Sequence, residues 1–471
     1  MNSSHKDKAS DTSTFLIIGG GVTGLALSLD LARQGRSVTL VEAEEAPGGN
    51  VNSVTEDEWQ VELGPNTLLC KPSLYRLIDS LGLVDEIIFP PTASKKRYVV
   101  SDGQPVPLPS GALSAVTHSL LGFKAWCHLF SEPFRKPAAH EETLAAFVER
   151  RLGPRVLEHF VDPFVSGVYA GDPQRLSAQA AMPRLHRMEQ QHGSLLRGGI
   201  AAMGSARAQR RQERSDGFPD HWRGSLVSFP RGLETLTQAM ADEFAHYPEA
   251  RLVTGSRVAS IRREEDRWQA IDQNNQSFRG HEMVLATPAP ISAKLLQHVD
   301  TDLHAALDEI AYPPLAAVAL GYPSDAISHP LDGFGMLIPG REKRQTLGAL
   351  FSSTLFPARA PQGHALLTCF IGGRRNPGVM AQPDDELINI ISTELSEILG
   401  IQGPPVFSRV KRWSRAIPQY EVGHLERIEA IEARVARHQG LHLAGNWRDG
   451  ISVGDCINSG QAMARQLQIM V

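Results

Sequence analysis

Cysteine and aromatic rings are scarce in this chain: 471 residues carry four Cys, and Phe, Trp and Tyr together make up 6%. The thiols, at Cys70, Cys127, Cys369 and Cys456, show neither CxxC spacing nor a zinc-ligand cluster. Reduced cysteines are therefore expected, not a disulfide framework or a metal centre. A charge excess is also missing. With 47 basic and 52 acidic side chains the formal charge is −5, which excludes nucleic-acid binding by bulk charge and a long acidic tail. The longest uncharged stretch, Gly103 to Phe123, is interrupted by Pro, Ser and Gly. It lacks the run of about 20 apolar residues that a membrane span requires. The N-terminal arm MNSSHKDKASDTST has no apolar core and no Arg-rich amphipathic pattern, so neither a secretory nor an organelle signal is expected. A cytoplasmic, bacterial protein is the expectation, with contact to one face of a membrane left open. The 17 His show no HExxH pair.

The length is about three times that of an ordinary domain, so at least two structural units are expected. Hydrophobic residues at 42% and charged residues at 21% suit a sizeable globular core. Order appears where the polar arm ends. Phe15 to Ile18 is a short apolar run, as in a strand buried in a parallel sheet. It leads into Gly19-Gly20-Gly21-Val22-Thr23-Gly24, after which Val22, Leu25, Ala26 and Leu29 keep helical spacing and Gly35 can end the helix. Ser37 to Val41 reads as a second strand, closed by Glu42. In this βαβ frame Gly19 makes the tight turn, Gly21 lets backbone approach a pyrophosphate, and Gly24 lets helix and strand pack closely. Glu42 can accept hydrogen bonds from both ribose hydroxyls of a dinucleotide.

NAD and FAD share that opening. A second glycine pair, Gly48-Gly49, follows the acid at once and again exposes backbone amides to a phosphate. Glu62-Leu63-Gly64-Pro65-Asn66 comes next. Far downstream, Leu441 to Asn446 reads as a buried strand ending in Gly445-Asn446, and Asp449 to Gly454, with Val453, leads into a closing amphipathic helix over 456–467. FAD is long enough to need contacts from both ends of a chain, so FAD is the expected cofactor.

The GxGxxG, Glu42, Gly48-Gly49 opening and the Ala444-Gly445-Asn446 ending resemble the amine oxidase and phytoene desaturase superfamily of flavoproteins. Within it, the middle of the chain is similar to the oxygen-dependent protoporphyrinogen oxidases. The residues that carry this are Phe164 to Pro173 (FVSGVYAGDP), Leu176-Ser177, His192 to Ser194, Ser228 to Leu233 and Thr346 to Gly348. Phe351 to Ser353, Phe356-Pro357, Arg359 to Pro361, Trp413, Ala416 to Pro418 and Tyr420 complete the set. The resemblance implies an α/β (α+β overall) architecture: a Rossmann-type FAD-binding domain, a substrate domain around an antiparallel sheet, and a helical, membrane-associating domain. It implies a discontinuous FAD domain from 13–89, 225–298 and 430–471, a substrate domain from 90–102 and 301–429, a helical domain over 103–190 and a loop over 191–224. In the helical part, Leu113, Val116, Leu120, Phe123 and Phe130 recur at helical spacing with Lys124 and His118 off the stripe, which fits a core helix or a membrane-surface helix.

The implied reaction is oxidation of protoporphyrinogen by hydride transfer to the flavin, with O2 returning the flavin to its oxidised state, so no protein nucleophile or metal is required. By the same resemblance Leu337 and Leu350 sandwich a pyrrole ring, Phe370 stacks on another, and Arg97 pairs with a propionate through its planar fork. Asn66 lies close to the flavin, Gly167 borders the ring, and Val258 meets the adenine end of FAD. Gly64, Trp413, Gly445 and Val453 join the cofactor contacts. Where such enzymes often carry Arg before the second glycine pair, this chain has Ala46-Pro47. The alternatives are the same chemistry on coproporphyrinogen III, which Lys95 and Lys96 beside Arg97 would suit, an amine oxidase, and a non-catalytic porphyrin carrier. A homodimer is left open.

Overall fold

The computed structural model describes residues 12–109 and 120–470. Strand Thr12–Ile18 lies near the middle of a seven-stranded sheet, parallel to Val38–Val41 on one side and to Ser277–Leu285 on the other. Ala250–Val253 extends the first side, and Leu441–Leu443 pairs in parallel with the end of Ser277–Leu285. The antiparallel strands Arg267–Asp272 and Val258–Glu264 extend the other side. Alternation along the first strand sends Phe15 and Ile17 to one face and Leu16 and Ile18 to the other. The first pair joins a core with helix Val22–Arg33 and helix Val453–Met470, through Leu25, Leu29, Ile457 and Leu467. The second pair packs with Trp268, Leu285, Leu296 and Leu443.

A second seven-stranded sheet is built around Leu315–Pro323, antiparallel to both His364–Gly372 and Phe407–Trp413. Thr346–Phe351, Gly335–Leu337 and the hairpin Tyr98–Ser101/Gln104–Pro107 continue it. Helix Asp384–Leu399 covers one face, its Leu387, Ile391, Leu395 and Ile398 meeting Leu367, Cys369 and Ile371. The opposite face turns Leu366, Thr368 and Phe370 away from that core. There Trp59 seats between Ala319 and Leu366 and stacks on Phe407 at 4.9 Å. Gly321 has to be glycine at this contact, since a Cβ would stand 2.4 Å from the Trp59 ring.

Two expectations are corrected. The stretch 191–224 is not a loop: helix Leu195–Ser215 runs through it, with the Ser194 side chain accepting from the Arg197 N–H as N-cap. Its glycines and charges suggest a loop, but Arg, Gln and Ala are strong helix formers and outweigh them. The helical region also does not begin at 103. Asp102 and Gly103, at φ 54° and 76°, form the two-residue turn of the 98–107 hairpin, so a boundary between them cuts one supersecondary unit. Of the proposed apolar stripe, Leu113 and Val116 lie outside the described residues, as does His118 beside it. Leu120 is buried, whereas Phe130, on helix Gly122–Ser131, is exposed. The helical part is held by fully buried charges: Arg151 pairs with Glu132 at 3.0 Å and with Glu189, and Ser194 Oγ donates to Glu132 at 2.5 Å. Among the described residues no helix is long and apolar enough to cross a membrane.

Candidate active site

The C-terminal ends of the central parallel strands open into one continuous cavity of about 650 Å³, which reaches the free face of the second sheet. At the first end the glycines set its shape. Gly19, at φ 108°, turns the chain where a Cβ would stand 2.8 Å from Ala286 O. A Cβ on Gly24 would fall 1.9 Å from Gly19 O, so this glycine serves helix–strand packing and does not itself line the cavity. Gly48 N–H donates to Gly20 O at 2.8 Å, which lays the second glycine pair against the first. Gly21 faces open space there, its nearest neighbour to a hypothetical Cβ being Gly49 Cα at 3.9 Å. Helix Val22–Arg33 starts at that point with no side-chain cap. Its free N–H groups and dipole therefore point at bare backbone, the arrangement a pyrophosphate requires.

Glu42 is buried beside this cradle. Its Oε2 accepts from Gly20 N at 2.6 Å and its Oε1 from Glu44 N at 2.8 Å. Val258, Ser256, Arg257, Thr287 and Pro288 continue the wall beyond Glu42. Arg257 is paired to Glu44 at 2.7 Å. Gly64 and Asn66 follow the end of a separate two-stranded hairpin, Ser53–Glu56/Trp59–Glu62. Gly64 admits no side chain, as a Cβ would meet Asn50 O at 1.8 Å. Gly445, Asn446 and Val453 close the opposite side. Asn446 is gripped twice: Tyr312 OH donates to its Oδ1 at 3.3 Å, and Tyr420 OH donates to its backbone carbonyl. Burial pushes both phenols upward from their ordinary value. Cys456, also in the wall, has its thiol pushed up to about 11 by burial, which favours the neutral thiol over the thiolate. A buried carboxylate with a free lone pair on each oxygen, a side-chain-free backbone cradle and a long cavity fit FAD.

The far end is apolar: Gly167, Val168, Leu315, Leu347, Leu350, Phe370, Trp413, Ala416 and Ile417. The chain Asp162–Tyr169 is helical and places Gly167 there, with Ala170 in the left-handed region ending the helix. Leu347 reaches the cavity although it differs in parity from Leu350, because the register shifts between Thr346 and Gly348. Sequence reasoning could not supply that bulge, and it missed Leu347.

Two expected contacts are not in this wall. Leu337 packs on Gly167, its Cδ2 2.3 Å from where a Cβ on Gly167 would stand, and lies outside the cavity lining. Arg97 is exposed, its guanidinium 5.3 Å from the centre of the Phe334 ring. The next residue, Tyr98, is the buried one and bonds to Asp332, so strand alternation turns Arg97 the other way. All the other expected site residues except Gly24 line the cavity. Among the described residues, no group of His, Cys, Asp and Glu could hold a metal ion.

The sequence profile of the flavin containing amine oxidoreductases matches residues 22–468. Protoporphyrinogen oxidase 2 of Arabidopsis thaliana is 32% identical over 97% of this chain and 94% of its own. Coproporphyrinogen III oxidase of Bacillus subtilis is 27% identical over 95% and 96%. A crystal structure from Exiguobacterium sp. superposes with a TM-score of 0.80 at 24% identity, covering 98% of this chain and 100% of the other. Reduced UDP-galactopyranose mutase does so with 0.72 at 15%, covering 98% and 96%, a likeness of fold alone.

Proposed function

The chain belongs to the flavin containing amine oxidoreductase family, with FAD as its cofactor, and from that we propose that it oxidises protoporphyrinogen IX to protoporphyrin IX. The observation that carries the choice of substrate is the chemistry of the cavity's far end. Its wall is aliphatic and aromatic, and among the described residues the charged ones lining the cavity, Glu42, Glu44 and Arg257, stand at the nucleotide end. Such a wall suits a large apolar macrocycle. A substrate with four carboxylates would bring more charge to a wall with no cation than one with two, and burying unpaired charge is costly.

Oxidation removes hydrogen from the methylene bridges and pyrrole nitrogens in three two-electron steps. FAD, when bound, would supply the hydride acceptor for each step, with O2 as the terminal oxidant, taken to H2O2. The protein's own part is positional. Leu347, Leu350 and Phe370 hold the ring and exclude water, while the backbone of Gly167 borders it and the missing side chain admits Leu337 behind the wall. Glu42 and the paired glycines fix the cofactor. In this reading the first sheet carries FAD and the second sheet carries the substrate wall. Anaerobic mixing with each porphyrinogen, read as bleaching of the flavin absorbance, tests it. Faster bleaching by protoporphyrinogen is expected; preference for coproporphyrinogen III would transfer the activity to that substrate.

The same reading includes a cytoplasmic enzyme touching a membrane surface, which a poorly soluble substrate favours. Phe130 and Phe134 are 72% and 84% exposed, and the turn Glu132–Phe134 touches helix Leu195–Ser215, which itself exposes Ile200 and Met203. Large apolar groups clustered at the surface suit shallow insertion. Co-sedimentation with anionic vesicles, lost in a Phe130→Ser, Phe134→Ser variant, is the expected result.

A further inference from the structure

A second and far smaller pocket shares Asn66 with the large cavity. Its polar lining is Gln60, Glu62, Asn66, Ser352, Arg359 and Thr368, and its volume is about 10 Å³. That is the space of a single water. Arg359, 2% exposed, reaches from the turn Pro357–Arg359 to the separate hairpin Ser53–Glu56/Trp59–Glu62 and to Ser228: its Nη2 donates to Glu62 Oε1 and to Ser228 Oγ, each at 2.8 Å. Its Nη1 has no partner, and neither has Nε2 of the buried Gln60. Two donors thus end unpaired at one polar pocket. Acceptors stand opposite them. Asn66 Nδ2 donates to Gly64 O at 3.0 Å, which leaves its Oδ1 to accept. Ser352 Oγ and Thr368 Oγ1 are 2.8 Å apart, and either can donate to the other.

We propose that this pocket holds one ordered water, which accepts from Arg359 Nη1 and Gln60 Nε2 and donates to Asn66 Oδ1 and to the Ser352–Thr368 pair. Arg359 is then a positioning residue for the cavity wall at Asn66. Leaving both buried donors unpaired would be costly, and a water with two to four polar partners removes that cost. An anion is disfavoured, because Glu62 already neutralises Arg359. The water fixes the Asn66 amide from one side and Gly64 O fixes it from the other, so the face that Asn66 presents to flavin and substrate has one orientation. The site stands independently of the substrate assignment; only its kinetic consequence rests on the porphyrinogen reading.

The first test is a high-resolution crystal structure of the FAD-loaded enzyme. One water peak within hydrogen-bonding distance of Arg359 Nη1 and Gln60 Nε2 is expected, and an empty pocket would overturn the proposal. The second is Gln60→Met, which removes a donor at similar volume without touching the charge pair. Full FAD content, a shifted flavin absorption band and an apparent KM raised about tenfold with kcat little changed are expected, the size of one lost hydrogen bond. An unchanged band and unchanged KM would overturn the claim that the water positions Asn66. If neither porphyrinogen is oxidised, the water peak and the flavin band still decide the site. If Gln60→Met does not fold, the wild-type density decides it.

Discussion

Glu42 and Gly20 are locked together: Oε2 accepts the Gly20 N–H at 2.6 Å, and a Cβ on Gly20 would stand 2.9 Å from Glu42 Cβ. The other oxygen takes the Glu44 N–H. Each carboxylate oxygen therefore spends one lone pair on the backbone and keeps one for a ligand. The glycine motif and the acid act as a unit, since the turn that exposes backbone to phosphate is the turn that orients the carboxylate.

Glu42→Gln should lose FAD even though it is nearly isosteric. An amide has one NH2, and whichever way it turns it sets a donor against Gly20 N–H or Glu44 N–H. Losing charge-assisted hydrogen bonds of about 1.5–3 kcal/mol each weakens binding roughly ten- to hundredfold. The variant should purify depleted of flavin and regain it on addition of FAD. Full flavin content after dialysis would displace Glu42 from the ribose.

Leu350→Ala should weaken porphyrinogen binding and leave the flavin spectrum alone, as this side chain lies on the substrate wall beside Phe370. Truncation of a well-packed Leu costs about 2–5 kcal/mol in a closed core, and less here because the wall is open on one side. Apparent KM measured with FAD-saturated enzyme is the readout. Unchanged kinetics would return Leu350 to ordinary packing.

The nucleotide end of this site was legible because its chemistry is local. Gly19, Gly21, Gly24 and Glu42 occupy one βαβ unit, and each glycine answers a steric demand set by near neighbours. Leu350, Phe370 and Gly167 came through resemblance alone. Leu347 depends on a register shift, and the Arg359–Glu62 pair joins residues 297 apart in the chain. No pattern in the sequence reports either. Helix Leu195–Ser215 was hidden by its glycines, and the strand following Asp102-Gly103 by the assumption that the helical part began there.

His424 should make stability fall on mild acidification. It is buried and stacked on Tyr420 at 4.4 Å, and its ring meets the Trp447 backbone without a well-formed hydrogen bond. Burial pushes its pKa from 6.5 to about 4. In the unfolded chain the imidazole takes a proton below its ordinary value, whereas in the folded chain it resists until about 4. The unfolded state thus binds more protons in that window, and stability is lost as pH drops through it, by up to about 3 kcal/mol. His424→Phe keeps the stack and removes the titration. Its Tm should vary less between pH 7 and pH 4 (about that range) than the wild-type Tm; parallel curves would mean that other groups govern the acid limb.

Arg97 separates a surface cation from a substrate anchor. A guanidinium pairing with a propionate in a desolvated cleft would cost about 2–5 kcal/mol of binding on truncation. The structure instead leaves Arg97 exposed over Phe334, outside the cavity lining, with Lys96 beside it paired to Asp332. An exposed cation meeting a carboxylate in water is worth about 0.2–1 kcal/mol, so Arg97→Ala should raise apparent KM about fivefold or less. Because the propionate is remote from the bond being oxidised, kcat should stay near wild type. Salt should erase the difference, since screening acts on exposed charges and spares buried ones. A KM effect of a hundredfold or more (roughly 3 kcal/mol) that persists in high salt would place Arg97 within a closed site. In that case Arg97→Lys should recover only part, the ammonium lacking the bidentate fork.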